Sequence, residues 1–404
     1  EARAAVQIAA NRLAQAKAGR LPRATFTGFL SYINGAEGNA LTGDTTNDIG
    51  PYSEGELEVV QPLYTFGRLR YEIRAAMQGV SARHAATDQA RNAVIAAVKE
   101  FYYNLLFSRQ IKDLLADSQQ NFTKALETVE ERLDAEEGNV TQQDLLRLRI
   151  GLAGVTKNIY ASERAVIVTR GALKRQLGMP LNTPFDIADT RLEPVELQLQ
   201  PLASYLEQVR QQRPEMAQLE AALEARKAQL HAARSAYYPS FFLASGFRYK
   251  VAPNREDQDN PFLKDFNSVS PPGIALGIRW QLDFWMTRAK VAVHLAEVAQ
   301  AEIQQHNAGS GIALDMQRRY LEVQGNQQKL AVAQTERKAA RALLFTSLAN
   351  FNLGVGEAKE VFNSLGLYTR ILSDYYKGIR DFNIAAARLS QATGKEVTTL
   401  RYRR

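Results

Sequence analysis

Residues 54–69, EGELEVVQPLYTFGRL, contain the change of periodicity that decides how this chain folds. Glutamates occupy every second position from Glu54 to Glu58, and small or apolar residues fill the positions between them. This period of two is typical of a strand whose two faces meet different surroundings. The Pro62-Leu63 pair and Gly67 then interrupt the alternation, and a long helical pattern begins at Arg68. The stretch therefore predicts a strand that passes directly into a helix.

Three further segments alternate in the same way, and we predict four strands at about 22–33, 52–64, 239–250 and 273–284. Charged residues mark one face of these strands, and apolar and aromatic residues mark the other. The charged set is Glu54, Glu56, Glu58, Arg248, Arg279 and Asp283. Such faces suit strands between lipid and a water-filled lumen, although a sheet half-buried on a soluble core would alternate too. Polar loops at 34–51 and 252–272 resemble the long outer loops of membrane barrels.

Four long helices are predicted at about 68–137, 142–177, 287–353 and 356–393. Apolar residues recur in alternating steps of three and four, as in Ile95, Val98, Tyr102 and Leu105, which favours coiled-coil packing. At 1.5 Å per residue, the first of these helices would be about 105 Å long.

The two halves of the chain share landmarks at a nearly constant offset. Pro239 follows Pro22 by 217 residues, and Gly354 follows Gly138 by 216. The helix-ending Gly178 and Gly394 keep the same spacing of 216. We therefore expect a tandem duplication, with repeats at 1–212 and 213–404.

Composition excludes several classes of site. The chain has no cysteine and four scattered histidines without metal-ligand spacing, so we expect no metal site and no cofactor. No phosphate loop, nucleophile elbow or zinc-binding helix is present, and we predict that the protein is not an enzyme. The net charge of +7 is spread along the chain, which does not favour nucleic-acid binding. No segment has the roughly 18 apolar residues that a membrane-spanning helix needs.

A sheet exposed to lipid has to close, because each unpaired edge group would cost several kcal/mol in hydrocarbon. Four strands cannot close around a lumen, so symmetric copies have to contribute strands. Two copies would supply eight strands and three would supply twelve, and strand physics alone does not choose between them.

The order of elements and the junction motifs resemble the TolC-type outer-membrane efflux family along essentially the whole chain. The motifs are VQPLYTFGRL at 60–69, RPEM at 213–216, YPS at 238–240 and RLDAEEGNVTQQDLLRL at 132–148. The second hairpin, at 351–365, keeps Gly354 but has Glu-Val-Phe at 360–362, where the family usually has Asp-Val-Leu.

The resemblance implies a mainly α fold with a β-barrel part. In it a homotrimer forms a twelve-stranded barrel in outer-membrane lipid and a tunnel of helical hairpins in the periplasm. It further implies a passive exit duct of a tripartite efflux or type I secretion system, which works with a periplasmic adaptor and an inner-membrane transporter. The hairpin tips that would contact the adaptor are Gly138, Asn139, Val140, Thr141, Gln142, Asp144, Gly354, Val355, Gly356 and Glu357.

The same resemblance places Glu360 and Asn363 at the periplasmic aperture of the tunnel. Glu360 has a second interpretation, as a solvated carboxylate favoured by the dipole of the helix that begins there. The alternative for the whole chain is a soluble periplasmic coiled-coil scaffold or adaptor protein.

Overall fold

The computed structural model describes residues 1–37, 44–137, 140–256 and 267–398. Its helices are α1 (Ala2–Ala18), α2 (Arg68–Asp134), α3 (Gln142–Gln176), α4 (Leu202–Gln212), α5 (Pro214–Arg234), α6 (Phe284–Asn352) and α7 (Ala358–Thr393). Its strands are β1 (Arg23–Glu37), β2 (Asp44–Tyr64), β3 (Ser240–Val251) and β4 (Ser268–Arg279). The fold is therefore mainly helical with one four-stranded part, as the sequence predicted.

The four strands form one antiparallel sheet in the order β1-β2-β3-β4. β1 and β2 are longer than expected, and their pairing continues to Glu37 and Asp44, inside the predicted polar loop. Pro51 is tolerated within β2 because β3 starts to pair with β2 only at Ser53, so β2 is an edge strand beyond that point.

The predicted bounds of β4, 273–284, are wrong at both ends. β4 begins at Ser268 and includes Pro271 and Pro272. Both prolines fall where the register between β3 and β4 is interrupted, between Gly246 and Arg248, and neither is paired with a β3 residue whose ladder bond it would have to make. It ends at Arg279, opposite Ser240, because Pro239 has no N–H to continue the ladder. The indole of Trp280 instead donates a hydrogen bond to the Tyr237 carbonyl oxygen (3.2 Å).

The helices differ from their predicted bounds by a few residues. α2 ends three residues early because Glu136 adopts a left-handed conformation, and α6 begins three residues early, directly after Asp283. Gly354, at the end of α6, and Gly394, after α7, have left-handed backbone conformations (φ 77° and 74°), which explains why glycine recurs at these helix ends.

The chain divides into two compact units. The first comprises residues 1–87 and 217–306 and contains the sheet, and its apolar core is centred on Leu223, Leu230 and Val298. The second comprises residues 88–216 and 307–404. In the second unit α2, α3, α6 and α7 bury an extended core, with Val129, Leu148 and Val361 almost fully inaccessible.

Candidate functional site

One face of the sheet carries a network of charges across β2 and β3. The register pairs Glu56 with Arg248 and Glu54 with Lys250, and residues paired across antiparallel strands share a face. The Arg248 guanidinium lies 2.6 Å from a Glu56 carboxylate oxygen and 3.8 Å from Glu54. Lys250 lies 3.9 Å from Glu54, whose carboxylate also accepts a hydrogen bond from the Tyr52 hydroxyl (2.8 Å). We call these five residues the charged network.

Two other predicted polar residues lie on the same face. Glu58 is exposed and lies opposite Thr25 on β1 and Gly246 on β3. Arg279, at the end of β4, places its guanidinium over the Phe242 ring at 5.0 Å from the centroid. The face therefore brings together residues from three strands that are far apart in sequence.

Asp283 does not lie on the sheet, in contrast to its predicted place among the strand residues. β4 ends four residues before it, and its carbonyl oxygen accepts a hydrogen bond from the Thr287 amide in the first turn of α6 (3.1 Å). Asp283 therefore belongs to the start of a helix, where a carboxylate is favoured by the helix dipole.

The opposite face of the sheet is apolar, and no other described part of the chain covers it. Leu57 lies between Phe26 on β1 and Phe247 on β3. On the two edge strands Leu30 is 90% exposed and Ile274 is 78% exposed. A continuous apolar surface of this kind marks contact with a membrane or another protein.

The first helical tip begins α3 with a capping box. The Thr141 hydroxyl accepts a hydrogen bond from the Asp144 amide, and the Asp144 carboxylate accepts one from the Thr141 amide (3.1 Å). Asp144 is buried, and its carboxylate also accepts a bond from Arg147 (3.3 Å). Its observed role is thus to start the helix, whereas Thr141 and Gln142 are exposed and Val140 is half-buried. Gly138 and Asn139 lie outside the described residues.

The second tip exposes apolar side chains between α6 and α7. The amides of Val355 and Gly356 both donate to the Asn350 carbonyl oxygen (3.0 Å each), which closes the turn at Gly354. Leu353 and Val355 are 77% and 78% exposed on either side of that glycine. Glu357 is the exposed N-cap residue of α7, and its side chain makes no capping hydrogen bond.

Glu360 and Asn363 both lie on exposed positions at the start of α7. Glu360 is the acidic residue of the first turn, and its amide donates to the Glu357 carbonyl oxygen (3.1 Å). This position agrees with both interpretations of Glu360, because it is exposed and also favoured by the helix dipole.

Arg132, near the end of α2, is a residue that the sequence patterns did not reveal. Its guanidinium donates to the carbonyl oxygens of Phe351 (2.8 Å) and Asn352 (3.2 Å) and lies 4.6 Å from the centroid of the Phe351 ring. It thereby caps the C-terminal end of α6 and joins the two helical hairpins. No local pattern could have shown this contact, because its partners lie 219 and 220 residues away.

Near the far end of α7, Glu396 accepts hydrogen bonds from Lys99, Thr398 and Ser390. Burial by itself raises the pKa of Glu396, but these bonds and the charge of Lys99 outweigh burial and leave the pKa below its ordinary value of 4.5. Burial first, and then the nearby Glu396 carboxylate, raise the pKa of Tyr103 to about 12. This cluster ties the chain after α7 to α2.

The described residues contain no group of three or more potential metal ligands close enough to hold an ion. Within the same residues, no helix is both long enough and apolar enough to cross a membrane.

The sequence profile of the outer membrane efflux protein family matches residues 1–179 and 205–395, in two stretches that together span most of the chain. No curated protein sequence matches the chain significantly.

Several solved structures of bacterial channels share the fold. The outer-membrane channel OprN superimposes with a TM-score of 0.79 at 15% identity, and the match covers 97% of this chain and 86% of OprN. The CmeC outer-membrane channel of Campylobacter jejuni gives 0.78 at 15%, covering 98% and 82% of the two chains. The MtrE outer-membrane channel of Neisseria gonorrhoeae, solved in an open state, gives 0.74 at 17%, covering 98% and 85%.

These structural neighbours are channels and not enzymes. The fold alone does not specify where this chain is located, but the family profile identifies the outer membrane. The chain therefore belongs to the outer membrane efflux protein family and is an outer-membrane transport protein whose helical part lies in the periplasm.

Proposed function

We propose that three copies of this chain join their sheets into one twelve-stranded barrel, which forms the membrane part of a passive exit duct. The observation that carries the proposal is the open sheet: among the described strands, β1 pairs only with β2 and β4 only with β3. Unpaired edges in hydrocarbon are costly, and pairing β4 of one copy with β1 of the next removes both.

The charges on the sheet support three copies over two. Eight strands from two copies would leave an interior just wide enough for side chains to fill it. The charged network and the exposed Glu58 need water or partners, because an isolated buried charge is strongly disfavoured. A twelve-stranded barrel with this face turned inwards provides a hydrated lumen, and the apolar face then meets lipid.

The helical tips are the proposed contact with a periplasmic adaptor, which would join the duct to an inner-membrane transporter. Leu353 and Val355 offer exposed apolar groups at the second tip, and Thr141 and Gln142 offer exposed polar groups at the first. Energy and substrate selection would come from the transporter, in a tripartite efflux or type I secretion system. The family match does not support the alternative of a soluble scaffold.

The test is disulfide cross-linking between the edge strands, which is clean because the native chain has no cysteine. Each variant carries two introduced cysteines in the same chain, one on β1 in place of Thr25, Thr27 or Phe29 and one on β4 in place of Gly273, Ala275 or Gly277. All six positions lie on the charged face. Within one chain β1 and β4 are separated by three inter-strand spacings, or about 14 Å. This distance is too long for a disulfide.

A cross-linked pair must therefore join two copies. A covalent trimer on denaturing electrophoresis, formed by one register of pairs and not by its neighbours, supports the barrel. The control is the pair Thr27→Cys with Glu56→Cys, which are opposite each other within one chain and should leave a monomer band. If no edge pair cross-links while the control pair does, the proposed closure is wrong.

A further inference from the structure

A cleft of about 470 Å³ lies where β2 passes into α2. Its walls come from Arg20, after α1, and from residues 62–67 and 69–71. The chain turns here through two consecutive left-handed residues, Phe66 (φ 48°) and Gly67 (φ 90°). The Ser235 hydroxyl donates to the Phe66 carbonyl oxygen (2.9 Å), and this bond ties the turn to the end of α5. The cleft is therefore formed by a fixed turn and not by a loose loop.

Two arginines line this cleft without a carboxylate partner. The side chains of Arg20 and Arg70 are exposed, and among the described residues neither forms an ion pair with an acidic group. Arg68 and Arg70 also lie in the first turn of α2, which contains no acidic residue. Positive side chains at a helix N-terminus are unfavourable, so a bound anion would relieve a repulsion that the chain itself leaves in place.

The surroundings of the cleft are those of a membrane surface. Leu21, Leu63 and Tyr64 are exposed beside the arginines. Phe66 stacks on the exposed Tyr238 at a ring-centroid distance of 5.0 Å. At the matching junction between β4 and α6, Trp285 is 85% exposed. Exposed aromatic rings at the end of a membrane sheet are typical of the boundary between lipid and water.

We propose that this cleft binds the phosphodiester headgroup of an anionic glycerophospholipid, one per chain, from the periplasmic leaflet of the outer membrane. The inference rests on the proposed insertion of the sheet, which puts the start of α2 at the periplasmic surface. Guanidinium groups bind phosphate oxygens in a bidentate manner, and Arg20 and Arg70 supply two of them. The exposed Leu21 and Leu63 favour a lipid over free phosphate, because they give the acyl chains an apolar surface.

Native mass spectrometry of the delipidated, detergent-solubilised protein, titrated with phosphatidylglycerol, tests the site. Wild type should bind one tightly held lipid per chain. Arg20→Gln with Arg70→Gln should weaken that binding about twenty-five-fold, since each interfacial arginine contributes roughly a factor of five. If the double variant does not assemble, each single variant should show its own loss of about fivefold.

The matched control is Arg288→Gln with Lys290→Gln. These two exposed cations lie near the start of α6, outside the cleft, and their removal changes the net charge by the same amount. The control should bind lipid like wild type. Equal losses of lipid affinity in both double variants would mean that the lipid is attracted by the overall positive charge, and this would overturn the site. Unchanged lipid affinity in both double variants would overturn it as well.

Inorganic phosphate and phosphatidylethanolamine distinguish the sources of the phosphate group. Added inorganic phosphate should not displace the bound phosphatidylglycerol. Phosphatidylethanolamine, which is zwitterionic, should bind more weakly than phosphatidylglycerol. Full displacement by inorganic phosphate at the lipid's own concentration would overturn the lipid assignment in favour of a small-anion site. The same spectra report the number of chains per particle. A protein that does not form trimers can therefore be distinguished from a trimer that does not bind lipid.

Discussion

Replacing Gly151 by alanine is expected to destabilise the packing between the two helical hairpins. Gly151 lies on α3, and a Cβ atom there would be 2.7 Å from the Phe122 ring and 2.8 Å from the Phe362 ring. These rings already touch edge to face, with centroids 6.1 Å apart, and Phe122 is almost fully buried. Neither ring can move away without disturbing the core around α2 and α7.

The magnitude follows from a comparison with Gly154, which lies on the same helix and where an added Cβ atom would have nothing within 4 Å. Alanine in a helix is favoured over glycine by about 1 kcal/mol, and this gain applies at both sites. Overpacking a filled core costs about 1–3 kcal/mol and applies only at Gly151. The free energy of unfolding of Gly151→Ala should thus fall about 1–3 kcal/mol below that of Gly154→Ala.

The assay is thermal unfolding of both variants in the same detergent at one scan rate. A domain of 150–250 residues shifts by about 2–4 °C per kcal/mol, so Gly151→Ala should melt at least about 2 °C below Gly154→Ala. Gly154→Ala should melt at or above the wild-type temperature. If Gly151→Ala is as stable as Gly154→Ala, the contacts between Gly151, Phe122 and Phe362 do not limit the packing and the reasoning is refuted.

Three other variants probe separate features. Arg132→Met keeps the packing on Phe351 but removes the donors to the end of α6, so amide hydrogen exchange should accelerate in the last turn of α6; unchanged exchange would contradict the capping role. The lowered pKa of Glu396 means that its contribution to stability is present above pH 4.5 and is lost as the pH falls through the folded-state pKa. Glu396→Gln should therefore be less stable than wild type at neutral pH, and the gap should narrow in acid; a constant gap would argue against the ion pair with Lys99. Arg248→Glu removes the cation between Glu54 and Glu56, so the reversal potential in planar bilayers should shift towards cation selectivity; no shift would place this face away from the lumen.

Local periodicity was enough to find the strands and long helices, because their faces differ in polarity over many residues. The capping box at Thr141 was also readable, since a threonine followed three residues later by an aspartate is a local pattern. That pattern would have assigned Asp144 to the helix start and not to a partner surface.

The register of the sheet and the contacts between hairpins could not be predicted in this way. Alternation puts Glu56 and Arg248 on polar faces, but only the pairing of β2 with β3 sets them opposite each other. The end of β4 depends on Pro239, which directly precedes the neighbouring strand β3, and the role of Arg132 depends on residues more than 200 positions away. The division into repeats at 212 and 213 stays a prediction, since the compact units each combine segments from both halves.

Closure of the sheet in a trimer is tested most directly by the detergent-corrected mass of the protein extracted from outer membranes. A trimeric barrel predicts a particle that requires detergent and has a protein mass near three times 45.0 kDa. A stable monomer or dimer, or a protein that remains dispersed without detergent, would contradict it.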